Sequence, residues 1–275
     1  MSDRSIKEPD VSLIVPTFNE RPHILEQSLN SLRHQSHSNF ECLLVDESTN
    51  DRSRDFAAAF CAKDRRFRHL VPTERLGLAA SLNLGISLAR AELIARFDAD
   101  DICIANRLAL QLNAMRANPD IGVFGGALEL INDENQVLGY RSFPSDHESI
   151  MKKMMFVTAF SHPTTMMRAS LVKAVGGYDD TFTHAEDLDL WLRLANHGTR
   201  FGNLSETLVR YRQNSVRRSA LHWRFNYRAR VKNFSSSYLV RRSLGLAAVG
   251  VWGSIPPFAQ ELIFRRLMLR SGQLS

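Results

Sequence analysis

The sequence predicts an α/β fold built on a mainly parallel β-sheet with flanking helices. Three observations carry that prediction. Four short apolar runs, at 11–15, 40–45, 68–71 and 92–97, have the unbroken hydrophobicity of strands covered on both faces. Stretches with apolar residues at helical spacing lie between them. The connections are short, as in βαβ units, whose crossovers are right-handed.

In chain order, VSLIV at 11–15 is the first strand. Pro22 suits the first turn of the next helix, where its missing N–H costs nothing, and Ile24, Leu25, Leu29 and Leu32 recur three and four apart. FECLLV at 40–45 is the second strand, and a helix over 54–61 follows with Asp51 as its cap. RHLV at 68–71 is the third strand. The segment 77–90 is a helix with Leu78, Leu82, Ile86 and Leu88 on one side, and ELIARF at 92–97 is the fourth strand.

Beyond Asp98 the pattern changes. A helix over 106–118 ends at Pro119, and 121–131 and 136–143 read as extended, partly antiparallel segments. A helix opens at 145–156, with Ser145 as cap and Glu148 three residues on. Residues 161–168 read as strand or loop. An amphipathic helix over 185–198 is closed by Gly198, and 201–212 read as a final extended pair.

The 275 residues are 44% apolar and 23% charged, which excludes collagen-like, disulfide-scaffold and wholly disordered classes. Cys42, Cys61 and Cys103 are odd in number and lack metal-finger spacing, so they read as reduced packing thiols. The net charge of +6 is unevenly spread. From 217 to the end there are eleven Lys and Arg against Glu261 alone, a balance of +10, while residues 1–216 hold 24 against 28 acids, a balance of −4. We expect a body over 1–216, divided near 101 into halves 10–101 and 102–213, and a basic C-terminal segment over 217–275. The polar, acid-containing N-terminus is not a signal peptide, so a cytoplasmic location is expected. In the basic segment, 243–264 are apolar but broken by glycines and by Pro256-Pro257, and flanked by Arg241-Arg242 and Arg265-Arg266. This suits an anchor on an anionic membrane surface better than a spanning helix; the alternative is a helix packed on the body. Its aromatics form no stacking stripe, so no nucleic acid is expected.

Ligands of open parallel sheets bind beyond the carboxyl ends of the strands. Acids follow three of the four strands here: Glu20 after the first, Asp46-Glu47 after the second, and Asp98, Asp100 and Asp101 after the fourth. Three carboxylates in four residues repel one another unless a cation sits among them, which suits Mg²⁺ or Mn²⁺ bridging to phosphates. No GxGxxG follows the first strand and there is no GxxxxGK[ST], which argues against dinucleotide oxidoreductases and P-loop NTPases.

VSLIVPTFNE, VDESTNDRS, GLAASLNLGI, ELIARFDADD, GGYDD and AEDLDLWLRLANHG, in this order, resemble a family 2 glycosyltransferase over roughly residues 10–213, of the type that assembles bacterial exopolysaccharide, capsule and lipopolysaccharide. The resemblance implies a GT-A fold and an inverting, metal-dependent enzyme. It would transfer a sugar from a nucleotide sugar, UDP-linked, to a lipid-linked or oligosaccharide acceptor at the inner face of the membrane. It implies Asp100 and Asp98 as metal ligands, with Asp101 either a support for them or a cap. It also implies Asp46 or Glu47 at the base or ribose, Pro16 and Thr17 along the base pocket, and Asn83 and Arg75 near the diphosphate or base edge. Asp187 would be the general base, beside Glu186. On the acceptor side, His162 is either structural or a ligand contact, and Trp191 either a sugar platform or core. Arg210 and Arg212 would reach the diphosphate or lie exposed.

The chain departs from the pattern in two places. Glu47 stands where a second aspartate is usual, and the Gln-x-x-Arg-Trp motif of processive synthases is absent, which favours transfer of a single sugar. Two other classes compete. A sugar-nucleotide pyrophosphorylase needs a glycine-rich loop where PTFNE stands. A glycan-binding protein with a decayed site would not need intact carboxylates at 98–101 and 186–187.

Overall fold

The computed structural model describes residues 8–213 and 220–255. The four apolar runs form β1 (Val11–Thr17), β2 (Phe40–Asp46), β3 (Phe67–Leu70) and β4 (Leu93–Arg96), paired in parallel. Between them run α1 (Pro22–Arg33), α2 (Asp51–Cys61) and α3 (Leu78–Leu88). After β4 come β5 (Ile102–Cys103), α4 (Arg107–Ala117), β6 (Ile121–Ile131), β7 (Val137–Arg141) and α5 (His147–Met154). A 3₁₀ turn (His162–Thr164) leads to β8 (Met166–Arg168), α6 (Ala169–Ala174), α7 (Glu186–Asn196), β9 (Arg200–Arg212), α8 (Ala220–Lys232) and α9 (Leu239–Ser254).

The strands make one sheet in the order β3-β2-β1-β4-β8-β6-β9-β5, with β7 paired to β6. β8 runs antiparallel to both β4 and β6, and β6 runs parallel to β9, so β1, β2, β3, β4, β6 and β9 point the same way. That shared direction is what gathers their carboxyl ends at one edge. Successive side chains of β1 enter opposite layers. Val11, Leu13 and Val15 join Leu25, Leu29 and Leu112 on one side, and Ile14 joins Leu82, Ile94 and Trp191 on the other. α3 lies close against the sheet: a Cβ on Gly85 would sit 2.4 Å from Ile14 Cγ2.

The structure corrects three local readings. Residues 201–212 are not a pair but one strand, β9, running beside β6 with shifts of register. The cap of α2 is Asn50, whose side chain accepts from Ser53 N at 2.8 Å, not Asp51. The cap of α5 is Asp146, accepting from Ser149 N at 2.9 Å, not Ser145. In both helices two capping residue types stand side by side, and only the backbone course selects one.

The expected boundary at 216 lies outside the described residues, as do Arg217, Arg218 and the part of the apolar stretch from 256 on with Arg265 and Arg266. Residues 220–242 are bonded to the body. Arg230 donates to the carbonyl of Met154 at 3.0 Å and also to that of Met155. Lys232 reaches Asp179 at 2.6 Å and Asp189 at 3.0 Å, and Arg242 donates to Asn233 O and Asn196 Oδ1. Of the Arg241-Arg242 pair, only Arg241 is exposed.

Candidate active site

Because β1 and β2 are parallel and in register, Thr17 sits beside Asp46, and the loops that leave them are adjacent. Asn19 ties these loops together. It holds a left-handed backbone (φ 55°), which Asn tolerates better than most residues, and its Oδ1 accepts from Thr49 N at 2.8 Å and Asn50 Nδ2 at 2.6 Å. Thr17 Oγ1 is buried with no hydrogen-bond partner among the described residues, while Pro16 is half-buried. Asp46 is fully buried, which raises its pKa, but hydrogen bonds from His69 (2.8 Å) and Ser48 N (2.9 Å) outweigh burial and hold it below the usual carboxylate range. Glu47 accepts from Leu76 N (2.8 Å), Gly77 N (3.0 Å) and the Ser81 hydroxyl, and so anchors the start of α3. Arg75 stacks over the Phe18 ring at 4.0 Å. Asn83 is bound to the backbone of Tyr178 in both directions, at 2.7 and 2.8 Å, which joins α3 to the loop before α7.

At the end of β4, Asp98, Asp100 and Asp101 bring carboxylate oxygens within 4.8 Å of one another. Burial, with repulsion from Asp98 and Glu20 added, pushes Asp100 up to about 7. Burial foremost also raises Glu20, with Asp98 contributing. Asp101 is raised by burial and by both neighbouring acids; one of its oxygens accepts from Arg212 N at 2.8 Å, and the other is buried with no hydrogen-bond partner among the described residues. An all-oxygen set with that much unrelieved negative charge fits a hard divalent cation. Arg96, the last residue of β4 and only 5% exposed, pairs with Asp98, and its charge also acts on Tyr178 and Glu186. It stands between the aspartate cluster and the start of α7.

α7 opens at Ala185, which is left-handed (φ 58°), followed by Glu186 and Asp187 in the first turn. Acids there are favoured by the helix dipole. Glu186 is 8% exposed; burial and the adjacent Asp187 push it up to about 7. Asp187 is the more accessible of the two, and its Oδ1 accepts from Leu188 N at 2.7 Å. His162 lies 3.8 Å from Glu186 and 2.8 Å from the Tyr178 hydroxyl; burial, with Arg96 adding, holds it well below its ordinary pKa and therefore neutral.

The structure thus brings Asp98, Asp100, Glu186, Asp187 and His162 to one region, with Thr17 and Asp46 on the adjoining strand ends. It does not leave Trp191 on the acceptor surface: the side chain is fully buried against Phe160 and His162, so its role is core packing. His162 follows its structural alternative, buried and bonded to Tyr178. Arg212 is neither exposed nor free for a diphosphate. It is 2% exposed and donates to Asp100 O, Asn132 O and Asn135 Oδ1, which fixes the end of β9 beneath the aspartate loop. Arg210 is paired with Glu129.

Three residues escaped the sequence reading as site components: Asn19, Arg96 and Tyr178. Arg96 carried a usable signal, since an arginine within a run buried on both faces needs a partner there. Tyr178 carried none, because its contacts with Asn83 and His162 are long-range.

The profile of Glycosyl transferase family 2 matches residues 12–176. A Bacillus subtilis protein named as the glycosyltransferase EpsE is 36% identical over 212 residues, covering 75% of this chain and 74% of that protein. The Escherichia coli protein named UDP-Glc:alpha-D-GlcNAc-diphosphoundecaprenol beta-1,3-glucosyltransferase WfgD is 29% identical over 184 residues, 67% of this chain and 69% of that protein. Among solved structures, the mannosyltransferase PcManGT of Pyrobaculum calidifontis, determined with GDP-Man and Mn²⁺, aligns with a TM-score of 0.64 at 18% identity, covering 96% of this chain and 81% of that one. That likeness is one of fold, and the fold is the expected GT-A architecture.

Proposed function

The chain belongs to glycosyl transferase family 2, and on that premise we propose that it moves a single sugar, with inversion, from a UDP-sugar to a hydroxyl of a lipid-linked or growing glycan in cell-surface polysaccharide biosynthesis. The carrying observation is the pairing of an aspartate cluster at the end of β4 with two acids at the start of α7, joined through Arg96.

Pro16, Thr17 and Asp46 line the nucleoside pocket, with Glu47, Arg75 and Asn83 shaping its wall. Asp98 and Asp100 would hold a divalent cation, Mn²⁺ or Mg²⁺, which when bound neutralises the diphosphate leaving group. Asp187 takes the proton of the acceptor hydroxyl as its oxygen attacks the anomeric carbon from the face opposite the diphosphate, and attack from that face inverts the configuration. Glu186, which burial and the adjacent Asp187 push up to about 7, supports the turn on which Asp187 sits. WfgD, by its name, uses UDP-Glc and a diphosphoundecaprenol-linked acceptor, which supports the same donor base and acceptor class here. The catalytic unit is residues 1–216, with a donor half over 10–101 and an acceptor half over 102–213. The basic segment 217–275 places it on the inner face of the membrane.

The test is release of nucleoside diphosphate from a panel of UDP- and GDP-sugars, without acceptor, in Mn²⁺ and in EDTA. UDP release from a single UDP-sugar, lost in EDTA, is expected. Formation of a nucleotide sugar from a sugar phosphate and nucleoside triphosphate would instead establish a pyrophosphorylase. Glycan binding with no turnover of any donor would establish a non-catalytic protein.

A further inference from the structure

The stretch 220–255 holds six Lys and Arg and no acid. One side of the α8–α9 pair is fixed to the body. Arg230 and Arg242 are buried there, Lys232 and Asn233 hold Asp189 of α7, and Gly245 lies so close to α5 that an added Cβ would sit 1.9 Å from the Met155 carbonyl oxygen. The other side is apolar and faces outward. On α8, Tyr227 and Val231 stand one turn apart, and Phe234 follows two residues beyond the end of the helix. On α9, Val240, Leu244 and Val251 recur at i, i+4 and i+11, so each set forms one stripe. These six side chains are 43 to 70% exposed, and an open groove of about 480 Å³ runs between the stripes, lined by Tyr227, Phe234 and Val251. Single exposed apolar residues are ordinary, but two aligned stripes around a groove mark a surface that meets something. Arg224 and Arg241 are exposed beside the stripes.

We propose that this face of α8 and α9 rests on an anionic lipid bilayer, its apolar side chains entering the head-group region while Arg224 and Arg241 meet lipid phosphates. Charge decides for lipid over a second copy of the chain: a two-fold contact through this face would bring like arginines together with no acid of the segment to answer them. No described helix is long and apolar enough to cross a membrane, so the contact is interfacial. Because α8 is bonded to Asp189, one turn along α7 from Glu186, the docked face is held in fixed relation to the acceptor side. The inference rests on the reading that the acceptor is lipid-linked, and it explains how such an acceptor reaches α7.

The experiment compares full-length protein with a V240E/L244E/V251E variant. Both are sedimented with vesicles of phosphatidylcholine alone and of phosphatidylcholine mixed with phosphatidylglycerol, at low and high salt. The wild type should sediment with the anionic vesicles and less so as salt rises, because the attraction is screened within about 10 Å at 0.1 M. The variant, altered only at exposed positions, should bind at least about tenfold more weakly. Equal sedimentation of the two proteins would overturn the proposal. So would a wild type that ignores vesicles and forms a dimer by light scattering which the variant abolishes. Donor hydrolysis is assayed separately on soluble nucleotide sugar, so failure of the transferase reading appears there and failure of lipid docking appears only in sedimentation.

Discussion

Asp100→Asn is expected to stabilise the cation-free protein at pH 8 while abolishing transfer. An ordinary aspartate ionises near 3.8, whereas burial, Asp98 and Glu20 hold Asp100 up to about 7. Between those values the unfolded chain has released a proton that the folded chain keeps. Stability therefore falls as pH rises from about 4 to about 7, and the loss persists above that window. A difference of about three pH units at ~1.4 kcal/mol each gives about 4 kcal/mol at most, less where water enters the site. Asparagine carries no charge and escapes that loss. At ~2–4 °C per kcal/mol for a chain of this size, the variant should melt up to about 16 °C higher than wild type in EDTA at pH 8 and nearly level with it at pH 4. Mn²⁺ should raise the wild-type Tm at pH 8 and leave the variant almost unmoved. Thermal melts of both proteins at the two pH values, with EDTA or Mn²⁺, decide the matter. A variant that melts lower than wild type at pH 8 in EDTA, or that gains as much from Mn²⁺, would refute the reasoning.

Other outcomes follow from the same geometry. Asp187→Asn should lower kcat by about 10²–10⁴ with donor affinity nearly unchanged, measured by transfer kinetics and by titration calorimetry with the nucleotide sugar. Glu186→Gln reproduces the protonated acid that predominates below about 7, so its transfer rate should match wild type most closely at pH 6, and a pH–rate profile would show it. Trp191→Ala removes a fully buried side chain packed on Phe160 and His162 and should cost about 3–5 kcal/mol in denaturant unfolding. Gly177→Ala combines a left-handed backbone (φ 71°) with a Cβ placed 2.5 Å from Asn83 Oδ1, and should destabilise by about 1–3 kcal/mol in the same assay.

The sequence by itself determined the α/β class, β1 to β4 with their helices, and the carboxylates after the fourth strand and at the start of α7. These are local signals: burial on both faces demands an unbroken apolar run, helices repeat every three to four residues, and three acids in four residues are improbable without a use. Tertiary structure alone decided what depends on partners far apart in the chain. Asp46 is held by His69, 23 residues on, and Asn83 by Tyr178, 95 residues on. Arg212 reads as a surface or ligand arginine until β9 is laid beside β6 and its guanidinium meets the aspartate loop 112 residues upstream. Trp191 reads as core before platform, and Phe160 and His162, packed against it, decide for core. The basic segment reads as a membrane anchor or as a helix packed on the body, and the fold turns Arg230 and Arg242 inward onto backbone carbonyls and leaves apolar side chains exposed. A side chain's type states what partner it requires, but only the folded chain determines which backbone group, ring or carboxylate is near enough to meet that requirement.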